Sequence, residues 1–375
     1  MKTTAAVLYD MTKPAPYAQS RPLVVEELEL EPPGPGEALI EIVAAGLCHS
    51  DLSVIDGSRP RPMPMVLGHE ASGIVAEVGA GVQDLKPGDH VVFSFVPMCG
   101  RCAQCAVGRP ALCERGAQAN GRGTLLGGAR RFHARDGAAL NHHLGVSAFS
   151  RYTVSARESL IAIPAEVPLE KAALFGCAVM TGVGAVVNTA RVEAGARVAV
   201  FGLGGVGLAA VLGARLVGAL QVVAVDVLPN KLALAKTLGA THAVHAGEGD
   251  PVHAVREISR GGADYAFEAV GSAGVLGQAY AATRRGGKTV TIGLPHPDQR
   301  LDLQAVSLVA EERTLLGSYM GSAVPARDIP RFLELYLAGK LPVDALVSER
   351  IELGSVNAAF DALKAGAVVR QLLRF

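Results

Sequence analysis

The segment 198–226 constrains the fold of this chain most strongly, because it has the pattern of a strand, a glycine turn, a helix and a second strand. It reads VAVFGLGGVGLAAVLGARLVGALQVVAVD. Gly202, Gly204 and Gly207 have the G-x-G-x-x-G spacing at the strand-to-helix corner. That spacing permits a tight turn, close approach of a pyrophosphate and close packing of the helix on the strand. Asp226 ends the second strand, where a carboxylate can bind both hydroxyls of an adenosine ribose.

This segment predicts that the chain binds NAD. The pyrophosphate would lie at the helix N-terminus, where unpaired N–H groups and the helix dipole favour an anion. Gly205 and Val206 begin that helix and are further candidate cofactor-binding residues. A 2′-phosphate would meet the negative charge of Asp226, so NADP is disfavoured. The alternative is a glycine-rich contact between a helix and a sheet in an ordinary α/β domain, which leaves the position of Asp226 to chance.

Composition excludes several classes of protein. The chain has 375 residues, which suits two domains, and half of them are hydrophobic, so it can bury a large core. Its 35 basic residues balance 35 acidic ones, which gives no charged surface for nucleic acid. The N-terminus lacks a signal-peptide core, and no apolar run reaches the roughly 20 residues of a membrane span. We therefore expect a soluble, cytoplasmic protein that binds neither nucleic acid nor membranes.

Four of the six cysteines form a cluster with metal-ligand spacing. Cys99, Cys102, Cys105 and Cys113 follow the pattern C-x2-C-x2-C-x7-C. Four thiolates on one short loop suit a closed tetrahedral zinc site, which supports structure and has no open position. An iron–sulfur site of the bacterial ferredoxin type would continue C-x3-C-P, which is absent here. Free buried thiols are the remaining alternative.

Cys48, His69 and Cys177 are candidates for a second metal site. Two thiolates and one imidazole leave the fourth position of a tetrahedral zinc open for water or substrate, as in catalytic sites. The three residues are far apart in the sequence, so their spacing alone is not diagnostic, but each lies in a turn between ordered elements. A lone histidine is more often an ordinary polar residue, yet His69 follows a strand directly and precedes a carboxylate in a Gly-His-Glu turn.

The remaining patterns give the domain organisation. The first part of the chain has alternating strands and turns typical of an antiparallel, barrel-like β unit. Residues 116–145 show no clear period, and residues 172–187 have a helical pattern. After Asp226 the βα alternation continues, which predicts a doubly wound parallel sheet. We predict strands over 149–154, 263–268, 288–293 and 313–319, and helices over 231–238, 275–283, 329–338 and 355–364.

The stretch 68–82, GHEASGIVAEVGAGV, resembles the signature of zinc-dependent medium-chain alcohol dehydrogenases. The order of Cys48, the four-cysteine cluster, Cys177 and GLGGVG matches that family along essentially the whole chain. The loop 116–145 and the later SAFSRYTV are similar to the liver-type branch and to the branch of glutathione-dependent formaldehyde dehydrogenases. The resemblance implies a β-rich GroES-like catalytic domain over residues 1–179 and 321–375, and a Rossmann domain over 180–320.

The resemblance also implies roles for residues at the predicted zinc site. Two zinc ions per chain would be held, one by the four-cysteine cluster and one by the Cys48, His69 and Cys177 set. Glu70 would lie beside the catalytic zinc, and Asp51 would bond to His69 and fix its tautomer. Ser50 would take the proton of the alcohol.

Further roles concern the cofactor. His49 would lie where the family often has an arginine against the pyrophosphate, and Arg370 matches another phosphate contact. Lys231 would contact the adenosine ribose, and Thr181 is a further candidate cofactor-binding residue. Without the resemblance, the ordinary interpretation of each residue is favoured: His49 and Ser50 as turn residues, and Lys231 and Arg370 as solvated charges.

The implied function is reversible oxidation of a primary alcohol, medium-chain or aromatic, to its aldehyde, with hydride transfer to NAD in a cleft between the domains. The alternatives are glutathione-dependent formaldehyde oxidation, a zinc-free reductase of the same superfamily, and a non-catalytic protein that binds NAD and zinc. The formaldehyde branch usually has an arginine at the position of Ala117, although Arg115 is nearby. The liver-type proton relay has a histidine at the position of Ser53.

We further expect a small-molecule alcohol or aldehyde as substrate. We also expect a homodimer or homotetramer, with the dimer forming through the edge strand at 315–319. The candidate pocket residues are Arg59, Phe95, Phe149, Leu294 and Tyr319.

Overall fold

The computed structural model describes residues 1–375 and divides them into two compact units. The first unit comprises Met1–Cys177, Val324–Glu334 and Val347–Phe375. The second comprises Ala178–Ala323 and Leu335–Leu346. The first unit is therefore assembled from three separate stretches of sequence and the second from two.

Strands and helices follow one another throughout the chain. The strands are β1 (Lys2–Leu8), β2 (Leu23–Leu30), β3 (Glu37–Gly46), β4 (Met65–Val66), β5 (Glu70–Val78), β6 (His90–Phe93), β7 (Phe132–His133), β8 (Ala139–His142), β9 (Tyr152–Ala156), β10 (Leu160–Ile163), β11 (Arg197–Phe201), β12 (Gln221–Asp226), β13 (His242–His245), β14 (Ala263–Glu268), β15 (Thr283–Thr291), β16 (Thr314–Gly317), β17 (Val347–Glu352) and β18 (Arg370–Arg374). The helices are α1 (Tyr17–Ser20), α2 (His49–Ile55), α3 (Ala103–Ala106), α4 (Glu114–Arg122), α5 (Leu169–Ala172), α6 (Ala178–Gly184), α7 (Gly205–Leu216), α8 (Pro229–Thr237), α9 (Pro251–Ile258), α10 (Ala273–Ala282), α11 (Val306–Ala310), α12 (Pro325–Leu337) and α13 (Val356–Lys364).

The first unit contains two β structures. A closed barrel has the strand order β1-β2-β7-β8-β4, and a seven-stranded sheet has the order β10-β6-β5-β3-β18-β17 with β9 also paired to β3. β3 pairs antiparallel with β5, β9 and β18. Alternating apolar side chains of the strands fill the barrel interior. That core contains Ala5, Val7, Leu28, Leu30, Leu39, Val66, Leu125, Phe132, Leu140 and Val154.

The second unit is built on a six-stranded parallel sheet with the order β13-β12-β11-β14-β15-β16. When the strands are numbered within the unit, this is the order 3-2-1-4-5-6 of dinucleotide-binding sheets. The order in which the strands are added reverses between β11 and β14, although the two strands are parallel. The predicted doubly wound parallel sheet is confirmed. Helix α7 joins β11 to β12, as the strand–turn–helix–strand pattern of 198–226 predicts.

Several predicted elements are wrong or displaced. Residues 116–145 contain most of α4 and all of β7 and β8, which are too short or too polar to produce a visible period. The predicted helix over 172–187 is broken into short segments, because Cys177 has a non-helical backbone (φ −139°, ψ −77°). The strand expected at 288–293 is β15 at Thr283–Thr291, so it begins at the last residue of the helix predicted over 275–283.

Other predicted bounds differ by a few residues. The strand expected at 149–154 is β9 at Tyr152–Ala156, and the edge strand expected at 313–319 is β16 at Thr314–Gly317. Helix α12 begins four residues earlier than expected and contains Pro330.

No single helix is both long and apolar enough to cross a membrane. One bent pair, Leu169–Gly176 with Ala178–Ala190, passes that test only when its two segments are taken together, on length and composition alone.

The glycine turn after β11 shows why two of its glycines are needed for folding. Gly202 has φ +88°, and a Cβ there would lie 2.5 Å from Val270 Cγ2. A Cβ on Gly207 would collide with the carbonyl oxygen of Gly202. A Cβ on Gly204 would meet no atom within 4 Å, so that glycine faces open space at the start of α7. Gly202 and Gly207 are thus required by packing, and Gly204 is not.

We predict that Gly207→Ala lowers the melting temperature by several degrees, because the added methyl group must displace the backbone at Gly202. Overpacking of this kind costs about 1–3 kcal/mol. Gly204→Ala is the matched control, and should cost less than half as much because its methyl group meets open space. Differential scanning calorimetry measures both variants, and equal losses in the two would contradict this account of the turn.

Candidate metal centres and nucleotide turn

Cys48, His69 and Cys177 meet in the first unit. One ligand atom from each side chain lies within 4.8 Å of the others, and all three residues are buried. Cys48 precedes α2, His69 lies in the turn between β4 and β5, and Cys177 lies at the helix break. Three separate backbone turns therefore bring two sulfurs and an imidazole together, a set of donors that suits zinc with one position open.

The charges of these groups fit a bound cation. The pKa of the Cys48 thiol lies well below its usual value, because Cys177 donates a hydrogen bond to it and the Arg370 guanidinium is close. The pKa of Cys177 is raised well above its usual value, because that hydrogen bond, burial and the negative charge of Cys48 all favour the thiol. Two buried sulfurs so close together cannot both ionise without a positive charge between them, and a metal ion supplies that charge.

The carboxylate of Asp51 orients His69. Asp51 is fully buried, and its Oδ1 lies 3.0 Å from His69 Nδ1. Oδ1 also accepts a hydrogen bond from Gly68 N at 3.2 Å, and Oδ2 accepts one from Cys48 N at 3.3 Å. A proton on Nδ1 leaves the Nε2 lone pair of His69 available to a metal. Burial alone would raise the pKa of Asp51, but His69 and His143 outweigh it and hold the pKa below its usual value.

Arg370 and Glu70 form a buried pair beside the sulfurs. Arg370 Nε lies 3.4 Å from Glu70 Oε1, and its Nη2 lies 3.7 Å from Cys48 Sγ. Burial raises the pKa of Glu70 to about 7 despite the nearby guanidinium. The sequence leaves open whether Arg370 is a phosphate contact or a solvated charge, and the structure excludes the second, since only 2% of the residue is exposed.

The other predicted residues of the first unit have varied positions. His49 is exposed at the start of α2, and Ser50 follows it, half-buried. Ser53 Oγ donates a hydrogen bond to the Ser50 carbonyl oxygen at 2.9 Å. Phe95 is buried and packs edge-on against His69, with ring centroids 5.6 Å apart. Phe149, expected in a pocket, is instead a core residue, fully buried with its ring 6.0 Å from that of Phe360.

One residue beside this cluster has no counterpart among the sequence predictions. His143 is buried, and its Nδ1 lies 3.1 Å from Asp51 Oδ1. It belongs to the His-His pair after β8, in a region without periodicity. Nothing in the local sequence distinguishes it from its neighbour His142, so only the tertiary structure identifies it.

The four clustered cysteines also meet, with one sulfur from each within 4.8 Å of the others. Cys99 Sγ accepts a hydrogen bond from Cys102 N at 3.3 Å, and Cys113 Sγ accepts bonds from Cys99 N and Gly116 N. Backbone hydrogen bonds near Cys105 lower the pKa of Cys102 to about 6. These hydrogen bonds hold the sulfurs together on one loop, whereas burial raises the pKa of Cys105 and Cys113, so a cation among the four sulfurs would be needed to ionise all of them.

The second unit contains the predicted nucleotide-binding turn. Asp226 Oδ2 accepts a hydrogen bond from Leu203 N at 2.7 Å, and Oδ1 accepts one from Leu228 N at 3.0 Å. The carboxylate is therefore fixed at the carboxyl end of β12, beside the start of α7, where Gly205 and Val206 lie. Lys231 in α8 and Thr181 in α6 are both largely buried.

Comparison with known families matches both parts of the chain. Residues 34–165 match the family model described as "Alcohol dehydrogenase GroES-like domain". Residues 205–338 match the model described as "Zinc-binding dehydrogenase". Together the two matches span most of the chain and agree with the β-rich and parallel-sheet parts of the fold.

Individual relatives match over nearly their full length. The chain is 36% identical to an S-(hydroxymethyl)glutathione dehydrogenase of Paracoccus denitrificans, with 100% of both chains covered. It is 38% identical to an alcohol dehydrogenase class-3 of Drosophila melanogaster, with 96% of each covered. The crystal structure of benzyl alcohol dehydrogenase from Acinetobacter calcoaceticus superimposes with a TM-score of 0.93 at 33% identity, covering 100% of this chain and 99% of that one.

The two family matches, the identity over whole chains and the two Cys/His metal-ligand sets agree with one another. They confirm the GroES-like and Rossmann architecture and the use of zinc and NAD. The chain therefore belongs to the zinc-dependent medium-chain alcohol dehydrogenase family, in a class 3-like branch, and is an oxidoreductase that uses zinc and NAD.

Proposed function

We propose that this chain oxidises a primary hydroxyl group to an aldehyde at a zinc ion held by Cys48, His69 and Cys177. The observation that carries the proposal is the buried set of two sulfurs and one imidazole, which leaves one tetrahedral position for the substrate. The first unit would be the catalytic domain and the second unit the nucleotide-binding domain.

The bound metal and the chain's own residues would each prepare the reaction. Zinc, when bound, supplies a Lewis acid that lowers the pKa of the substrate hydroxyl. Asp51 holds His69 in the tautomer that has a free Nε2 lone pair. Ser50 takes the hydroxyl proton. Ser53, where the liver-type relay has a histidine, donates its hydrogen bond to the Ser50 carbonyl, so the proton leaves the site without an imidazole at that position.

NAD is the proposed hydride acceptor. Asp226, fixed by two backbone N–H groups, directs its charge to the place where an adenosine ribose binds in this fold. Gly204 leaves open space at the start of α7, which suits a pyrophosphate at the helix N-terminus. His49, Lys231, Thr181 and Arg370 are proposed as further cofactor contacts.

Two substrates have specific support. The names of the curated relatives fit S-(hydroxymethyl)glutathione better than a free alcohol. Two observations favour a free alcohol: Ala117, where the glutathione-dependent branch usually has an arginine, is exposed on α4, and the similar Acinetobacter structure is a benzyl alcohol dehydrogenase. We propose free primary alcohols, medium-chain or aromatic, as substrates, with the glutathione adduct as second candidate.

We also propose that the chain forms a homodimer or homotetramer. β16 lies at the edge of the six-stranded sheet, where its outer backbone groups can pair with a second copy. Multi-angle light scattering should give a mass of two or four chains. A monomer at micromolar concentration would contradict this proposal.

We predict that Cys177→Ala removes one of two zinc ions per chain and reduces NADH formation to below about 1% of the wild-type rate, because the remaining two ligands cannot retain a catalytic metal. Atomic absorption measures the zinc and absorbance at the NADH band measures turnover. NAD affinity, measured by calorimetry, is the control and should be unchanged because the nucleotide turn is intact. Full turnover with only one zinc per chain would contradict the proposal.

We predict that the wild-type enzyme reduces NAD with benzyl and medium-chain primary alcohols in the absence of glutathione, and reduces NADP much more slowly. Ala117→Arg should raise kcat/KM for formaldehyde mixed with glutathione and leave benzyl alcohol oxidation unchanged, since the arginine supplies a partner for the glutathione carboxylate. Steady-state kinetics on this panel test both statements. If the wild-type enzyme is active only with formaldehyde mixed with glutathione, the substrate is S-(hydroxymethyl)glutathione and not a free alcohol.

A further inference from the structure

His143 is held rigidly beside the proposed zinc site. Its backbone N–H donates to Ser147 Oγ at 2.9 Å, and its carbonyl oxygen accepts from Val146 N at 3.0 Å. Ser147 Oγ in turn donates to the carbonyl oxygen of Val66 at 2.9 Å, close before His69 in the sequence. The position of the His143 ring is thus coupled to the turn that carries His69.

The His143 side chain contacts both Asp51 and His69. Its Nδ1 lies 3.1 Å from Asp51 Oδ1, off the direction of a well-aligned hydrogen bond, so the contact is mainly electrostatic. Its ring is perpendicular to that of His69, with centroids 5.5 Å apart and an angle of 89°. Phe95 makes a second perpendicular contact with the same His69 ring, at 86°.

These contacts restrict two motions that would weaken metal binding. Two aromatic contacts oppose rotation of the His69 ring about its side-chain bonds. The positive edge of the His143 ring helps to hold Asp51 Oδ1, which also receives Gly68 N and His69 Nδ1. Mutation of a residue that holds a metal ligand, without binding the metal itself, commonly lowers metal affinity by about 10–100-fold.

We propose that His143 is a positioning residue, which holds the His69 imidazole and the Asp51 carboxylate in the orientation that retains the catalytic zinc. The inference rests on the proposed zinc site. It extends the usual pairing of one carboxylate with one histidine ligand to a carboxylate shared by two imidazoles. His143 itself is not part of the Cys48, His69 and Cys177 set; it groups instead with Asp51 and His69, where its Nδ1 lies 3.1 Å from Asp51 Oδ1.

The test measures release of zinc to the chelating dye 4-(2-pyridylazo)resorcinol from fully loaded protein. The Cys177→Ala variant, which retains only the four-cysteine zinc, identifies which kinetic phase belongs to which site. His143→Phe keeps an aromatic ring and removes the polar contact, and should release the catalytic zinc about 10-fold faster with the other phase unchanged. His143→Asn places an amide donor near the position of Nδ1, and should restore much of the wild-type rate.

His142→Phe is the matched control. His142 is an equally buried neighbouring histidine whose Nε2 accepts from Arg131 N at 3.1 Å, away from Asp51. The His142→Phe substitution should lower the melting temperature without changing the rate of zinc release. Equal acceleration in His142→Phe and His143→Phe, or no acceleration in His143→Phe, would overturn the proposal.

A measurement on the wild-type protein covers the case in which His143→Phe does not fold. In a crystal structure of the zinc-loaded enzyme, His143 Nδ1 should remain within about 3.2 Å of Asp51, and a ring turned away from Asp51 would overturn the proposal. Wild-type protein with one zinc per chain would contradict the proposed function itself. If both proteins bind two zinc ions per chain and the catalytic zinc leaves wild type and His143→Phe at the same rate, only the role of His143 is overturned.

Discussion

The buried carboxylate of Asp51 connects the elements that form the proposed metal site. It accepts hydrogen bonds from the backbone of Cys48 and Gly68 and from the ring of His69, so the start of α2 and the turn before β5 are held to one charged group. A buried charge is stable only while its partners remain, and removal of one partner commonly costs about 3–5 kcal/mol. Stability of the fold and orientation of the metal ligands therefore depend on the same interaction.

The second unit has the features of the proposed NAD site, in which a charged cofactor would bind at the end of a hydrophobic sheet. Close packing at Gly202 and Gly207 brings α7 against the end of β11, and Gly204 leaves the helix N-terminus open. Asp226 is held by two backbone N–H groups at the adjacent strand end. In the proposed NAD site the pyrophosphate would meet backbone N–H groups of the turn, and the Asp226 side chain is itself fixed by backbone, which favours a preorganised site.

The features of the fold and the site that the sequence predicts are those encoded locally. The glycine spacing predicts the turn and the parallel sheet, and the spacing of four cysteines predicts their cluster, because each motif determines its own backbone geometry. At Cys177 the sequence supports two conflicting predictions, a turn and a continuous helix over 172–187, because the apolar flanks favour a helix and Gly176 is the one local sign of a break. Arg370 lies beside Cys48, 322 positions away in the sequence, because β18 pairs with β3. His143 was missed for the same reason, because its role exists only once β8 brings it to Asp51.

The most direct test of this account is the location of zinc in crystals of the metal-loaded protein, from anomalous diffraction at the zinc edge. The account predicts two peaks per chain, one among the four clustered cysteines. The other should lie at about 2.3 Å from the sulfurs of Cys48 and Cys177 and about 2.0–2.1 Å from His69 Nε2. A second peak bound elsewhere, or a single peak at the four-cysteine cluster with His69 turned away from Cys48, would contradict it.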